Sequence, residues 1–173
     1  MLSLLLILAF ISVLTASELK KALKDDEYIC PGSDSKAHAS CKVHIKFEES
    51  CKVVQDEMSN RIAGQYDKWH DPHNNGTYTQ LSKQNYLLEA SRLTGDKKYT
   101  DLINYQFIEA LSGGCDVYGC SESQVFSIGD AGTNFCNIFS LYCSDDKCQP
   151  FTKLTYSESV GKCTQADPAL CLP

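Results

Sequence analysis

Ten cysteines in 173 residues constrain this chain more than any other feature. Cys30, Cys41, Cys51, Cys115, Cys120, Cys136, Cys143, Cys148, Cys163 and Cys171 are too many to stand as idle thiols in a reducing compartment. Structural zinc draws on CxxC-type pairs, and no two of these cysteines stand three apart. The count is even, so full oxidation gives five disulfides and leaves no thiol over. Ten cysteines admit roughly 945 pairings, so spacing leaves the connectivity open. Cys115/Cys120 and Cys143/Cys148 are close enough to close tight loops, and Cys30 and Cys41 flank a Pro-, Gly- and Ser-rich stretch at 31–40.

The N-terminal residues agree with an oxidising compartment. Residues 1–14 are apolar and uncharged. A membrane-spanning helix needs about 20 such residues, whereas a secretory signal needs a shorter core followed by small residues. Thr15-Ala16-Ser17 supplies those, with a cut after Ser17. The expected organisation is a signal peptide at 1–17, an N-terminal arm and loop at 18–40, and one disulfide-stapled domain at 41–173. A secreted or secretory-pathway location follows. No later apolar run is long enough to span a bilayer. With 16 Lys+Arg against 22 Asp+Glu the net charge is −6, which disfavours nucleic acid, whose phosphates are bound by clustered cations.

Phe47, Cys51, Val54, Met58 and Ile62 recur at helical spacing and predict an amphipathic helix over 47–63, stopped by Gly64. Lys52, Gln55, Asp56, Ser59 and Asn60 form its polar side. Cys51 lies in the apolar stripe and is placed to staple the helix to its partner. Strand-like runs follow at 86–94, 99–111, 115–128 and 133–143, with Gly95-Asp96-Lys97 as a hairpin loop between the first two. The expected fold is α+β: one helix across an antiparallel sheet of about four strands, then an irregular tail from 144.

The segment after the helix carries the unusual residues. Trp69, His70, Asp71, His73 and Tyr78 surround Asp-Pro and Asn-Gly turn signals and are the candidate ligand or partner residues. Asn75-Gly76-Thr77 is an N-glycosylation acceptor. His70 and His73 are the weak metal candidates, but Pro72 spoils helical spacing and no third histidine is close, so no metal or other cofactor is expected. A serine-hydrolase elbow, GxSxG, does not occur. Adjacent carboxylates such as Glu48-Glu49 and Asp145-Asp146 point apart and do not make an acid/base pair. The block TNFCN at 133–137 is a second unusual run.

Gln124-Val125-Phe126-Ser127-Ile128-Gly129 resembles the inhibitory hairpin of cystatins, which also set a helix before a four-stranded sheet. The cystatin motif is Gln-x-Val-x-Gly. Here Val125 follows Gln124 directly, Gly129 stands five after it, and the only tryptophan is Trp69. The resemblance implies a cystatin-like layout and, as a lesser alternative, protease inhibition. The leading expectation is a secreted, non-enzymatic binding or extracellular structural protein. Its partner would be an extracellular protein or an apolar ligand, with a homo-oligomer as an option. The rival is a small secreted hydrolase using a metal held by His70 and His73.

Overall fold

Residues 28–65, 67–111 and 113–172 are described by a computed structural model. The expected signal peptide at 1–17 and the arm up to residue 27 lie outside the described residues. Strand β1, Ser40–Phe47, alternates buried and half-buried side chains and leads directly into helix α1, Cys51–Gly64. Strands β2 (Thr77–Gln84), β3 (Leu87–Leu93), β4 (Thr100–Glu109) and β5 (Cys115–Ser123) follow as a meander. Helix α2, Thr133–Phe139, and strand β6, Tyr156–Cys163, complete the order. The six strands form one antiparallel sheet in the order β2-β3-β4-β5-β1-β6. The architecture is therefore α+β.

Both helices cover one face. Val43, Ile45, Ile103, Tyr105, Phe107 and Val117 point into the layer between sheet and helices and are buried. The predicted stripe is buried too, but the helix starts later than its spacing suggests. Phe47 is the last residue of β1, paired with Cys115 and Tyr156, and reaches the same core from the sheet. The polar side of α1 is not all solvent-facing, since Gln55, Glu57 and Arg61 are also buried.

Three corrections concern strands. The run 133–143 is helix α2 and a following turn, not a strand. Phe135 and Phe139 stand four apart, a spacing that fits both a period of 2 and a period of 3.6. The Asp130 carboxylate settles the local choice by accepting from the backbone N–H groups of Gly132 and Asn134 (3.2 and 2.8 Å), which opens a helix. The sheet has six strands rather than about four: β2 and β6 escape the pattern, and β1, although Cys41, Val43, Ile45 and Phe47 alternate with polar residues, ends on Phe47, which also fits the helical stripe. Strand β2 (TYTQLSKQ) and β6 (YSESVGKC) are edge strands with mostly exposed side chains, so neither alternates cleanly. The tail holding β6 is thus not wholly irregular. Residues 124–129 follow β5 and lead into α2, so they are not the tip of a hairpin between strands.

All ten cysteines are paired, as Cys30–Cys120, Cys41–Cys163, Cys51–Cys115, Cys136–Cys171 and Cys143–Cys148. Cys143–Cys148 closes the tight loop and Cys51 staples α1 to β5. Cys115 and Cys120 do not meet, because an odd separation in a strand puts them on opposite faces. Cys115 joins α1 on the covered face, and Cys120 holds Cys30 on the other.

Thiol titration of the unfolded, unreduced protein should give no free SH, and non-reducing peptide maps should return these five pairs. Met58→Asp sets an unpaired carboxylate in a fully buried site and should abolish the folded state. Asn60→Asp, on the exposed side of α1, should change stability by no more than about 0.5 kcal/mol in urea unfolding.

Candidate ligand pocket

The covered face of the sheet is apolar except at one end. There Tyr78 of β2, Arg92 of β3, Asp101 of β4 and Ser123 of β5 stand directly across from one another in register. All four are buried. A polar row inside a sheet is costly unless its members satisfy one another. Most of the satisfaction comes from two blocks outside the sheet, while Arg92 Nε and Nη1 and Asn137 Oδ1 keep no hydrogen-bond partner among the described residues.

The first is the loop after α1. Asp71 accepts from Arg92 Nη2 (2.5 Å) and from the Gly76 N–H (2.7 Å), and Arg92 Nη2 also donates to Asn74 Oδ1 (2.5 Å). Both side chains of this ion pair are 0% exposed. The guanidinium lies 5.6 Å from the centroid of the Tyr78 ring. Burial pulls the proton affinity of Arg92 down, but Tyr78, Asp71 and Asp101 outweigh it and leave it above the ordinary arginine value. Burial, reinforced by Asp71, drives the Tyr78 phenol well above its usual range. A Cβ at Gly76 would collide with the guanidinium carbon, so any larger residue here has to push Arg92 aside.

The second block is α2. Asn134 Nδ2 donates to Asp130 Oδ2 (2.8 Å), Ser123 Oγ (3.0 Å) and the Ala39 carbonyl (3.2 Å), while its Oδ1 accepts from Ser121 Oγ (2.7 Å). Asn137 Nδ2 donates to Asp101 Oδ2 (2.8 Å) and Ser121 Oγ (3.0 Å). Two asparagines one helical turn apart thus carry the network from the helix to the sheet.

Where the row meets solvent it forms a pocket of about 290 Å³. Asp101 and Ser123, nearly inaccessible, make its floor, and Thr94, Asp130 and Thr133 line its walls. Tyr99 (50% exposed) and Phe126 (69% exposed) stand at its rim. A smaller hollow of about 230 Å³ lies beside His70, Asn75 and Thr77, and a groove of about 580 Å³ runs past Lys52, Asp56 and Lys83. The groove is larger and is lined by Lys52, Asp56, Lys83 and Glu109, of which both lysines pair at the surface with Asp56. The 290 Å³ pocket reaches the buried row itself, at Asp101 and Ser123, whereas the 230 Å³ hollow meets the network at Asp71, whose carboxylate is already ion-paired to Arg92.

The residues singled out in the sequence lie mostly beside this pocket rather than in it. Trp69 is core: its Nε1–H donates to the Cys148 carbonyl (2.8 Å) and its ring meets Tyr78 at 5.7 Å. Asp71 and Tyr78 are parts of the buried row, with the Tyr78 hydroxyl donating to the Asn137 carbonyl (3.1 Å). His73 Nδ1 pairs with the Leu170 carbonyl (2.9 Å), which ties the loop to the C-terminal turn. His70 and Asn75 are exposed. His70 and His73 gather no third ligand. Among the described residues the one cluster of three donor side chains is Cys30, Cys120 and Glu122, and its two sulfurs are joined in a disulfide.

The sequence patterns do not single out Asp101, Ser123 or Asp130, and mark Asn134 and Asn137 only as part of the unusual run TNFCN. For Asp101 the signal was parity: it falls in the same alternating set as Ile103, Tyr105 and Phe107, which points it inward. No protein-family model and no curated protein matches this chain.

Arg92→Met should cost about 3–5 kcal/mol in urea unfolding, because it strands the Asp71 charge in the interior. Adding Asp71→Asn should return part of that loss, and the double-mutant cycle measures the coupling.

Proposed function

We propose that the protein is a secreted, non-enzymatic binding protein that takes a small ligand into the pocket between β4, β5 and the loop before α2. One observation carries the reading: the Asp101 carboxylate, 2% exposed, lines the pocket and meets one donor among the described residues, Asn137 Nδ2. A buried carboxylate with an open coordination side is a recognition group, because a ligand atom supplies the partner that the fold does not. A polar floor under an aromatic rim suits a ligand with a polar head rather than a wholly apolar one.

The non-enzymatic part rests on where the reactive side chains are. Every cysteine is oxidised. All four histidines lie away from the pocket lining, and His38 and His44 are engaged by Glu122 and Asp116. Secretion is supported by the disulfides and by the apolar start of the chain. A cystatin-like inhibitory role draws no support from residues 124–129, of which Val125, Phe126, Ser127 and Gly129 line the pocket instead of forming a hairpin tip. Asn75 is exposed in the turn before β2, with φ of 55°, and this supports it as a glycan carrier in the same secreted protein.

Amide chemical-shift mapping during a fragment screen tests the reading. Saturating hits should move Tyr99, Asp101, Ser123 and Phe126. At one hundred times its Kd, such a hit stabilises the fold by about 2.7 kcal/mol, a rise of several degrees in Tm. Shifts confined to the opposite sheet face would overturn the pocket assignment. For the glycan, endoglycosidase should lower the mass of protein from a eukaryotic host, and Asn75→Gln should remove that difference.

A further inference from the structure

We infer that the pocket selects a primary ammonium ion carrying a short aromatic or apolar tail, an inference that rests on the pocket being the binding site. The buried row and its loop contain two carboxylates, Asp71 and Asp101, and one cation, Arg92. Arg92 Nη2 is committed to Asp71 and Asn74. Arg92 Nε and Nη1 make no hydrogen bond among the described residues. Asp101 faces Arg92 across the ladder without an ion-pair contact to it, and the hydrogen-bond donor of Asp101 is a neutral amide. One negative charge remains in excess at a position nearly closed to water. Asp130 adds a second carboxylate to the wall. Neither lysine, arginine nor histidine lines the pocket. Arg92 attracts Asp101 through space without touching it, and a desolvated charge with no counter-ion in contact is unfavourable, so a ligand cation relieves that penalty when it binds.

The donor and acceptor inventory narrows the cation. The floor offers acceptors: Asp101 and Ser123 Oγ, the latter already accepting from Asn134. An ammonium brings three N–H donors and no acceptor, so it complements such a floor. An anionic ligand would add a third negative charge. A metal ion finds no set of three ligating side chains here. The rim supplies what a tail needs. Tyr99 and Phe126 are largely exposed aromatic side chains with no ring partner among the aromatic contacts of the described residues. Aromatic faces attract both cations and apolar tails. The volume, about 290 Å³, is at the small end of ligand sites, which run from about 300 Å³ upward.

The test compares three near-isosteric probes by titration calorimetry on the intact, oxidised protein: phenethylamine, phenethyl alcohol and phenylacetate. The amine should bind at least tenfold more tightly than the alcohol, and the acid should not bind. Asp101→Asn keeps an acceptor for Asn137 Nδ2 and removes the charge. It should weaken the amine tenfold or more and leave the alcohol unchanged. Phe126→Ala, at an exposed position, should weaken amine and alcohol alike by a few-fold without altering the fold. Equal binding of amine and alcohol by the wild-type protein would overturn the ammonium inference and leave the pocket reading standing. If Asp101→Asn does not fold, that wild-type ratio decides alone. If none of the three probes binds, the inference fails, while the fragment screen above still judges the pocket separately.

Discussion

An ion pair with no access to solvent, Glu57 with Arg61 one turn later in α1, is the joint on which the covered side of the sheet depends. Glu57 Oε1 accepts from Arg61 Nε (2.8 Å) and the Phe151 N–H (3.0 Å), and its Oε2 from the Thr152 N–H (2.7 Å). Arg61 Nη1 donates to the Ser140 carbonyl and Nη2 to the Cys143 carbonyl, both at 2.9 Å. Burial lowers the proton affinity of Arg61, and Glu57 works against that loss. A buried pair is tolerable only when its remaining donors and acceptors are used. Here they are used on backbone, so α1 grips the end of α2 and the connection leading to β6. Those segments have little regular structure of their own. The pair replaces it by satisfying their carbonyl and N–H groups.

The second buried pair, Asp71 with Arg92, works at the other end. The loop 67–76 carries no helix or strand, yet Trp69 is sealed beneath Cys148 and Asp71 receives two backbone N–H groups besides Gly76's, from His73 and Asn74 at 3.4 Å. The loop closes the sheet end where β2 and β3 present Tyr78 and Arg92. By holding Arg92 on its own carboxylate, it also leaves Asp101 with an amide for a partner. The chemistry of the pocket is therefore set from a loop that barely touches it. The unusual residues around Asp-Pro are a plug, and what they position is two strands away.

Helix α1 was legible because Cys51, Val54, Met58 and Ile62 meet a helix period and nothing competes with it. Strands β3, β4 and β5 were legible because their covered face is apolar, as Ile103, Tyr105 and Phe107 show. The edge strands β2 and β6 were not, since a strand with one paired side and exposed side chains has no alternation to read. Helix α2 was mistaken for a strand because a four-residue spacing is common to both periods, and the deciding atoms are those of Asp130. The candidate site was legible only as two unrelated oddities, the block around Asp71 and TNFCN. Their relation lies in the register that aligns Arg92, Asp101 and Ser123, and register is a property of long-range pairing that local patterns do not contain.

The sheet order has a consequence for how the chain becomes oxidised. Strand β1 is made first among the strands but lies between β5 and β6, so it has no neighbour until the chain has reached residue 115. Cys41 waits longer still, because its partner Cys163 is 122 residues away. Until then Cys30, Cys41 and Cys51 are thiols close in sequence with no native partner among themselves. Any disulfide formed among these three is non-native and must be exchanged away, a step that takes roughly minutes to hours without an isomerase. A copy in which such a bond forms early thus reaches its topology only through thiol–disulfide exchange, and a strong oxidant acting before residue 115 has emerged favours these short, wrong loops.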